Sequence, residues 1–249
     1  MNAALETRHL QKNFGALTVA NQIGFRLAPG ARHALIGPNG AGKTTFVNML
    51  TGLLSPTSGQ IFLGGEDITA LGQSARVKRG LGRTFQINTL FRELSVLDNV
   101  ALGVAERLGK ASHIWRPANS FSEIRDESFA LLETLGIGED SNNIVRDLPY
   151  GKQRLVEIAI ALGLKPKVLL LDEPAAGVPS LESQRILDVL DRLPAEIAIL
   201  IIEHDMDLVF RFAKRITVLV QGEVLVEGTP QEIADDQRVH QLYLGEQHA

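Results

Sequence analysis

The chain of 249 residues contains no cysteine, so disulfides, thiol catalysis and cysteine-ligated metals are excluded. It also lacks a surplus of basic charge. Lys and Arg number 25 against 29 Asp and Glu, a formal net charge of −4. That balance carries no strong electrostatic footprint for nucleic acid, and no nucleic-acid partner is expected. Long apolar runs are missing. Ile197 to Ile202 is among the longest, far short of the ~20 residues that cross a bilayer. The start, Met1-Asn2-Ala3-Ala4-Leu5-Glu6, shows no basic region followed by an apolar one, so no secretory signal is visible. Internal repeats and low-complexity runs are absent too. The expectation is a cytoplasmic protein whose membrane role would come through a partner. The length and a hydrophobic content of 45% suit one large α/β domain or two lobes.

What the chain does have is organised around Gly37-Pro38-Asn39-Gly40-Ala41-Gly42-Lys43-Thr44, followed by Thr45. The stretch fits G-x-x-x-x-G-K-[ST], a loop whose glycines let successive N–H groups point at one anion. Lys43 is expected to reach the β- and γ-phosphates of a nucleotide, and the Thr44 hydroxyl to ligate Mg²⁺. Arg32 to Ile36 reads as a buried strand before the loop, and Lys43 to Leu50 as a helix after it. The helix N-terminus adds its own positive field.

The remaining chain alternates between strand and helix patterns. Ile23, Phe25 and Leu27 mark a half-buried strand, as do Ile61 and Leu63, with a hairpin at Gly64-Gly65. These are placed in an antiparallel sheet beside the phosphate loop. Gly80 to Gln86 is expected to be a short strand ending in the polar Gln86. From Ser95 the period turns helical, with Leu97, Val100, Ala101, Val104, Ala105 and Leu108 on one face. Lys110 to Asn119, which holds Trp115, reads as a connecting loop. Ser122 is expected to cap a second helix ended by Gly136, and a third helix is expected to open at Gly151. Val168 to Leu171 and Ala198 to Ile202 have the continuous apolar character of parallel strands covered on both faces. Helices are expected over Glu182 to Leu193 and Asp205 to Ala213. Ile216 to Val220 and Val224 to Val226 flank Gln221-Gly222, a hairpin. Thr229-Pro230-Gln231-Glu232 reads as a capping box.

Several residues carry candidate chemistry. Asp172-Glu173-Pro174 follows the Val168 strand, at the sheet edge where α/β proteins bind ligands. Asp172 would hold Mg²⁺ through a water, and Glu173 would polarise the attacking water. Leu148 to Arg154 opens a helix at a glycine, itself an anion site. Two copies related by a two-fold axis could each lend this helix start to the other's nucleotide. His204 reads either as structural or as a γ-phosphate sensor. Gln86 is a candidate for the metal and water shell. Phe14 either stacks on an adenine or packs in the core.

Gly37 to Thr44, Gln86, Leu148 to Arg154, Leu169 to Pro174 and His204 stand in the order found in ATP-binding cassette (ABC) transporter ATPases, which the chain resembles over its whole length. Pro56-Thr57-Ser58-Gly59, Gly82-Arg83-Thr84-Phe85-Gln86, Leu90-Phe91-Arg92 and Asp172-Glu173-Pro174-Ala175-Ala176-Gly177 resemble the branched-chain amino acid importer subgroup; importers of urea and amides are similar there. The resemblance implies a P-loop NTPase (RecA-like) α/β core with an antiparallel β subdomain and an inserted helical subdomain. Residues of about 1–90 and 161–249 would form the core and about 91–160 the helical part. It implies ATP and Mg²⁺ as ligands, with Phe14 on adenine and Gly37 to Thr45 on the phosphates. Thr44, Gln86 and Asp172 would serve the metal, Glu173 would be general base, and His204 would be the switch. Gly151, Lys152 and Gln153 would face the opposite subunit's nucleotide. The implied partners are a transmembrane permease, a second cassette and, indirectly, a substrate-binding protein. The implied place is the cytoplasmic face of the membrane. A soluble ABC ATPase without a permease and a phosphate-loop kinase are the other readings; the kinase leaves Leu148 to Arg154 and His204 unexplained. The chain departs from the family wording at Pro149, where Ser is usual, and at Pro179, where Asp is usual. Those changes bear on contact with the opposite nucleotide and on coupling between the two sites.

Overall fold

A computed structural model describes residues 2–84, 90–110 and 121–244. The chain enters through β1 (Leu5–Phe14) and β2 (Leu17–Leu27), an antiparallel pair, then β3 (Arg32–Ile36) and α1 (Lys43–Thr51). β4 (Ser58–Leu63), β5 (Glu66–Asp67), α2 (Gln73–Lys78) and β6 (Leu81–Arg83) follow. The middle of the chain is helical, with α3 (Val96–Arg107), α4 (Ser122–Thr134) and α5 (Tyr150–Gly163). β7 (Val168–Asp172), α6 (Ser180–Asp191), β8 (Ala198–Ile202) and α7 (Met206–Phe212) restore the alternation. β9 (Arg215–Val220), β10 (Glu223–Gly228), α8 (Pro230–Asp235) and α9 (Gln237–Leu244) complete it. Among the described residues the strands form two sheets, ordered β2-β1-β4-β5 and β10-β9-β3-β8-β7-β6. The first is antiparallel; the second is parallel from β9 to β6, with β10 added as an antiparallel edge.

Strict alternation along the central strands sorts the core into two layers. Ala34, Ile36, Leu169, Leu171, Ile199 and Ile201 face the layer that contains α5, α6 and α7. Leu35, Val168, Leu170, Ala198, Leu200 and Ile202 face the other layer, with Phe46 and Leu50 of α1 and Leu5, Ile23 and Ile61 of the antiparallel sheet. A continuous apolar run is therefore what these strands require. Helices α3 and α4 add a smaller cluster of Ala101, Val104, Ala105 and Ile124, flanked by Leu108 and Phe121. No described helix is long and apolar enough to cross a membrane.

Two helix starts differ from expectation. Phe121, not Ser122, is the N-cap of α4 and offers no side-chain bond; its partly buried ring packs on the α3–α4 cluster and sets the entry. Helix α5 begins one residue early, at Tyr150, because Pro149 is locked at φ −55 and serves as the N-cap. The capping box at Thr229 and Glu232 is present in full. The short strand β6 ends at Arg83, and the 111–120 part of the expected loop lies outside the described residues.

Candidate functional site: a phosphate loop facing two strand ends

β3 delivers the chain into the phosphate loop at the carboxyl edge of the parallel sheet. Gly42 caps α1 at φ 97, a left-handed conformation open to glycine. A methyl group there would come within 2.7 Å of the Val19 carbonyl oxygen. The loop is thus braced from outside by β2. It is also braced by the β9–β10 turn, where Gln221 and Gly222 have φ 49 and 82, the form that matches strand twist. The Gly222 amide donates to the Ala41 carbonyl at 2.9 Å, and the Asn21 amide donates to the Gly222 carbonyl at 2.8 Å. Within the loop, Lys43 Nζ donates to the carbonyls of Gly37 at 2.5 Å and Pro38 at 3.0 Å. Thr44 is exposed and Thr45 half-buried on the first turn of α1.

Phe14 ends β1 and pairs with Leu17, two residues before the Val19 that abuts the loop. Its ring is 50% exposed, with Lys12 Nζ 5.1 Å from its centroid. The core reading of Phe14 is therefore wrong; the residue stands exposed at the end of β1.

The ends of β7 and β8 lie side by side, Asp172 opposite Ile202. Asp172 is buried, and its Oδ2 accepts from Arg83 at 2.9 Å. Arg83 also donates to Asn48 Oδ1 on α1 at 2.8 Å. Sequence reading missed this triangle. Arg83 lay in a quoted motif, but its partners are 35 and 89 residues away. Glu173 takes φ 46, a strained value for a non-glycine residue, with its amide bonded to the Ile202 carbonyl at 2.9 Å. Its Oε1 is 3.6 Å from Nδ1 of His204, which is 67% exposed. Glu203 stands behind the pair at 2% exposure, and burial pushes its carboxyl above the ordinary range. Gln86 lies outside the described residues.

The second anion candidate, the start of α5, faces differently. Tyr150, Gly151 and Lys152 supply the first-turn amides, which have no acceptor inside a helix. Gln153 does not share that role: its amide donates to the Pro149 carbonyl at 3.1 Å, and its buried side chain donates to the Leu148 carbonyl at 2.9 Å. Lys152 Nζ is held by Asp140 at 2.7 Å. This helix start packs on the segment that follows Glu173 in the same chain. The Tyr150 ring lies against Gly177, and Glu182 lies against Gly151, where a methyl group would meet its Oε2 at 2.4 Å.

Comparison with known proteins places this geometry. The family model described as ABC transporter matches residues 20–176, and one described as branched-chain amino acid ATP-binding cassette transporter matches residues 223–249. The high-affinity branched-chain amino acid transport ATP-binding protein LivG of Escherichia coli (strain K12) is 39% identical, over 97% of this chain and 98% of its own length. The lipopolysaccharide export system ATP-binding protein LptB of Acidithiobacillus ferridurans is 38% identical, over 99% of each chain. Among solved structures, the ADP conformation of an ATP-binding cassette of an ABC transporter superposes with a TM-score of 0.86 at 29% identity, covering 98% of this chain and 100% of that one.

Proposed function

The chain belongs to the ABC transporter family, and from that membership we propose that it is the ATP-hydrolysing subunit of an importer for branched-chain amino acids, driven through a partner permease. The observation that carries the reading is the convergence of Lys43, Asp172, Glu173 and His204 on one edge of the sheet, with Glu173 and His204 3.6 Å apart. The amino acid cargo is supported by the C-terminal match over residues 223–249 and by the relatives named above.

The residues fit nucleotide and metal. The loop amides and Lys43 take the phosphates, and Phe14 offers a ring face to adenine. The Thr44 hydroxyl, the second carboxylate oxygen of Asp172 and Gln86 are oxygen donors suited to Mg²⁺. Such a site keeps water and phosphate oxygens rather than a protein cage. Bound Mg²⁺ would neutralise charge on the β- and γ-phosphates. Glu173 accepts a proton from water as its oxygen attacks the γ-phosphorus; the bond to the bridging oxygen breaks and ADP leaves. His204 senses the γ-phosphate.

Two cassettes close on two nucleotides, each held by the phosphate loop of one and the Tyr150-Gly151-Lys152 amides of the other. Residues of about 1–90 and 161–249 act as the core and about 91–160 as the helical subdomain. The assembly sits on the cytoplasmic face of the membrane, and a substrate-binding protein loads the permease from the opposite face. Reconstitution with a branched-chain amino acid permease tests the cargo. ATP hydrolysis stimulated by a leucine-loaded binding protein is the expected outcome. Stimulation by lipopolysaccharide instead, as the LptB likeness allows, would replace the importer reading with an exporter.

A further inference from the structure

Glu203 is the most deeply buried carboxylate beside the site, at 2% exposure. The ionisable side chains acting on it are His204 and Glu173. A buried carboxylate is costly unless its oxygens are satisfied, and the preceding β8 residues are all apolar. An apolar side chain would be the cheaper choice at the end of that strand. Its contacts explain the acid. Oε2 accepts from the His204 amide at 3.2 Å, and Oε1 accepts from the Ala175 amide at 3.4 Å. Those amides belong to two separate loops. One follows β8 and carries His204; the other follows β7 and carries Glu173.

We propose that Glu203 is a positioning residue, a two-pronged tie that holds the loop bearing Glu173 and the loop bearing His204 in register. The inference rests on the ATPase reading above and adds to it a part that presents base and switch as one unit. A carboxylate suits the task because both its oxygens accept. A carboxamide offers one acceptor and sets an N–H₂ against the other amide, so Glu203→Gln loses one prong. Glu203→Met keeps the length and loses both.

Misplacing a reacting group by about 1 Å can cost ~10²-fold in rate. Glu203→Met is therefore expected to lower kcat by about 10–100-fold, with Glu203→Gln between it and wild type. KM for ATP should stay within about twofold, because the phosphate loop is untouched. Adding Glu203→Met to His204→Ala should cost less than about twofold more, since the register of the two loops matters to turnover only while both Glu173 and His204 are there to be aligned. Amide hydrogen exchange at Ala175 and His204 should quicken in Glu203→Met without nucleotide. That readout is independent of hydrolysis, so it tests the tie even if the wild type proves to be no ATPase. Wild-type kcat in Glu203→Gln and Glu203→Met, unchanged exchange at both amides, or losses that multiply in the double variant would overturn the proposal. If Glu203→Met does not fold, Glu203→Gln decides by the same measures.

Discussion

Glu173 and His204 stand at ordinary ionic distance, yet each owes its place to backbone rather than to the other. Glu173 holds φ 46 because its amide is tied to the Ile202 carbonyl and its own carbonyl accepts from Ala176 at 3.1 Å. Glu173→Gln keeps these backbone bonds and removes the proton acceptor. Turnover should fall by the ~10²–10⁴-fold typical of a lost general base, and size-exclusion chromatography should show a trapped ATP dimer. A second residue-scale effect lies far from the site. His33 on β3 is buried against the edge of Phe25, with ring centroids 5.1 Å apart. Its Nε2 is 2.8 Å from Thr217 Oγ1, and that hydroxyl donates to Glu227. The hydroxyl has one proton, so Nε2 carries the hydrogen toward it. Burial pushes the His33 pKa down from 6.5 to about 4; Glu227 opposes the shift and Arg215 adds to it. Between those values the unfolded chain binds a proton that the folded chain does not. Stability is therefore whole above pH 6.5 and falls as the pH drops toward 4, by roughly 3 kcal/mol at most. Urea unfolding across that range should show the slope, and His33→Gln should flatten it.

At the scale of elements, one ion pair joins three of them. Arg83 of β6 reaches Asp172 of β7 and Asn48 of α1, with both charged side chains under 10% exposed. Removing one member of a buried pair leaves the other charge uncompensated. Arg83→Met should lower unfolding free energy by ~3–5 kcal/mol in urea titrations. A loss below 1 kcal/mol would mean that water reaches Asp172 despite its burial. The start of α5 shows a second link between elements. Tyr150 packs on Gly177, and Gly151 packs on Val178 and Glu182. A push on the α5 start can therefore reach the segment behind Glu173 within one chain.

For the whole molecule, the proposed permease contact can be tested at exposed apolar side chains. Phe91 is 58% exposed and Leu94 38%, at the entry to the helical part. A charge at Phe91 would penalise an apolar contact while leaving the nucleotide loop alone. Phe91→Asp should reduce recovery of the protein with membranes that carry the permease. ATP-driven dimerisation of Glu173→Gln carrying Phe91→Asp should be retained. Loss of both would place Phe91 in the fold rather than at the permease.

Much of this was legible in the chain because its signals are local. A phosphate loop needs its glycines, lysine and threonine within eight positions, and a capping box needs Thr229 and Glu232 three apart. The apolar runs of β7 and β8 announce burial on both faces. Helix boundaries at Phe121 and Pro149 were less legible, since ring packing and a locked φ outweigh a generic capping preference. The sequence by itself determined the fold class, the phosphate loop, the acidic strand end and the order of the motifs, because each depends on neighbours a few residues away. Only the tertiary structure decided that Arg83 meets Asp172, that Gln153 turns inward, that Phe14 is exposed, and that Glu203 joins two loops. Those contacts are made across strands and layers, where distance along the chain carries no information about distance in space.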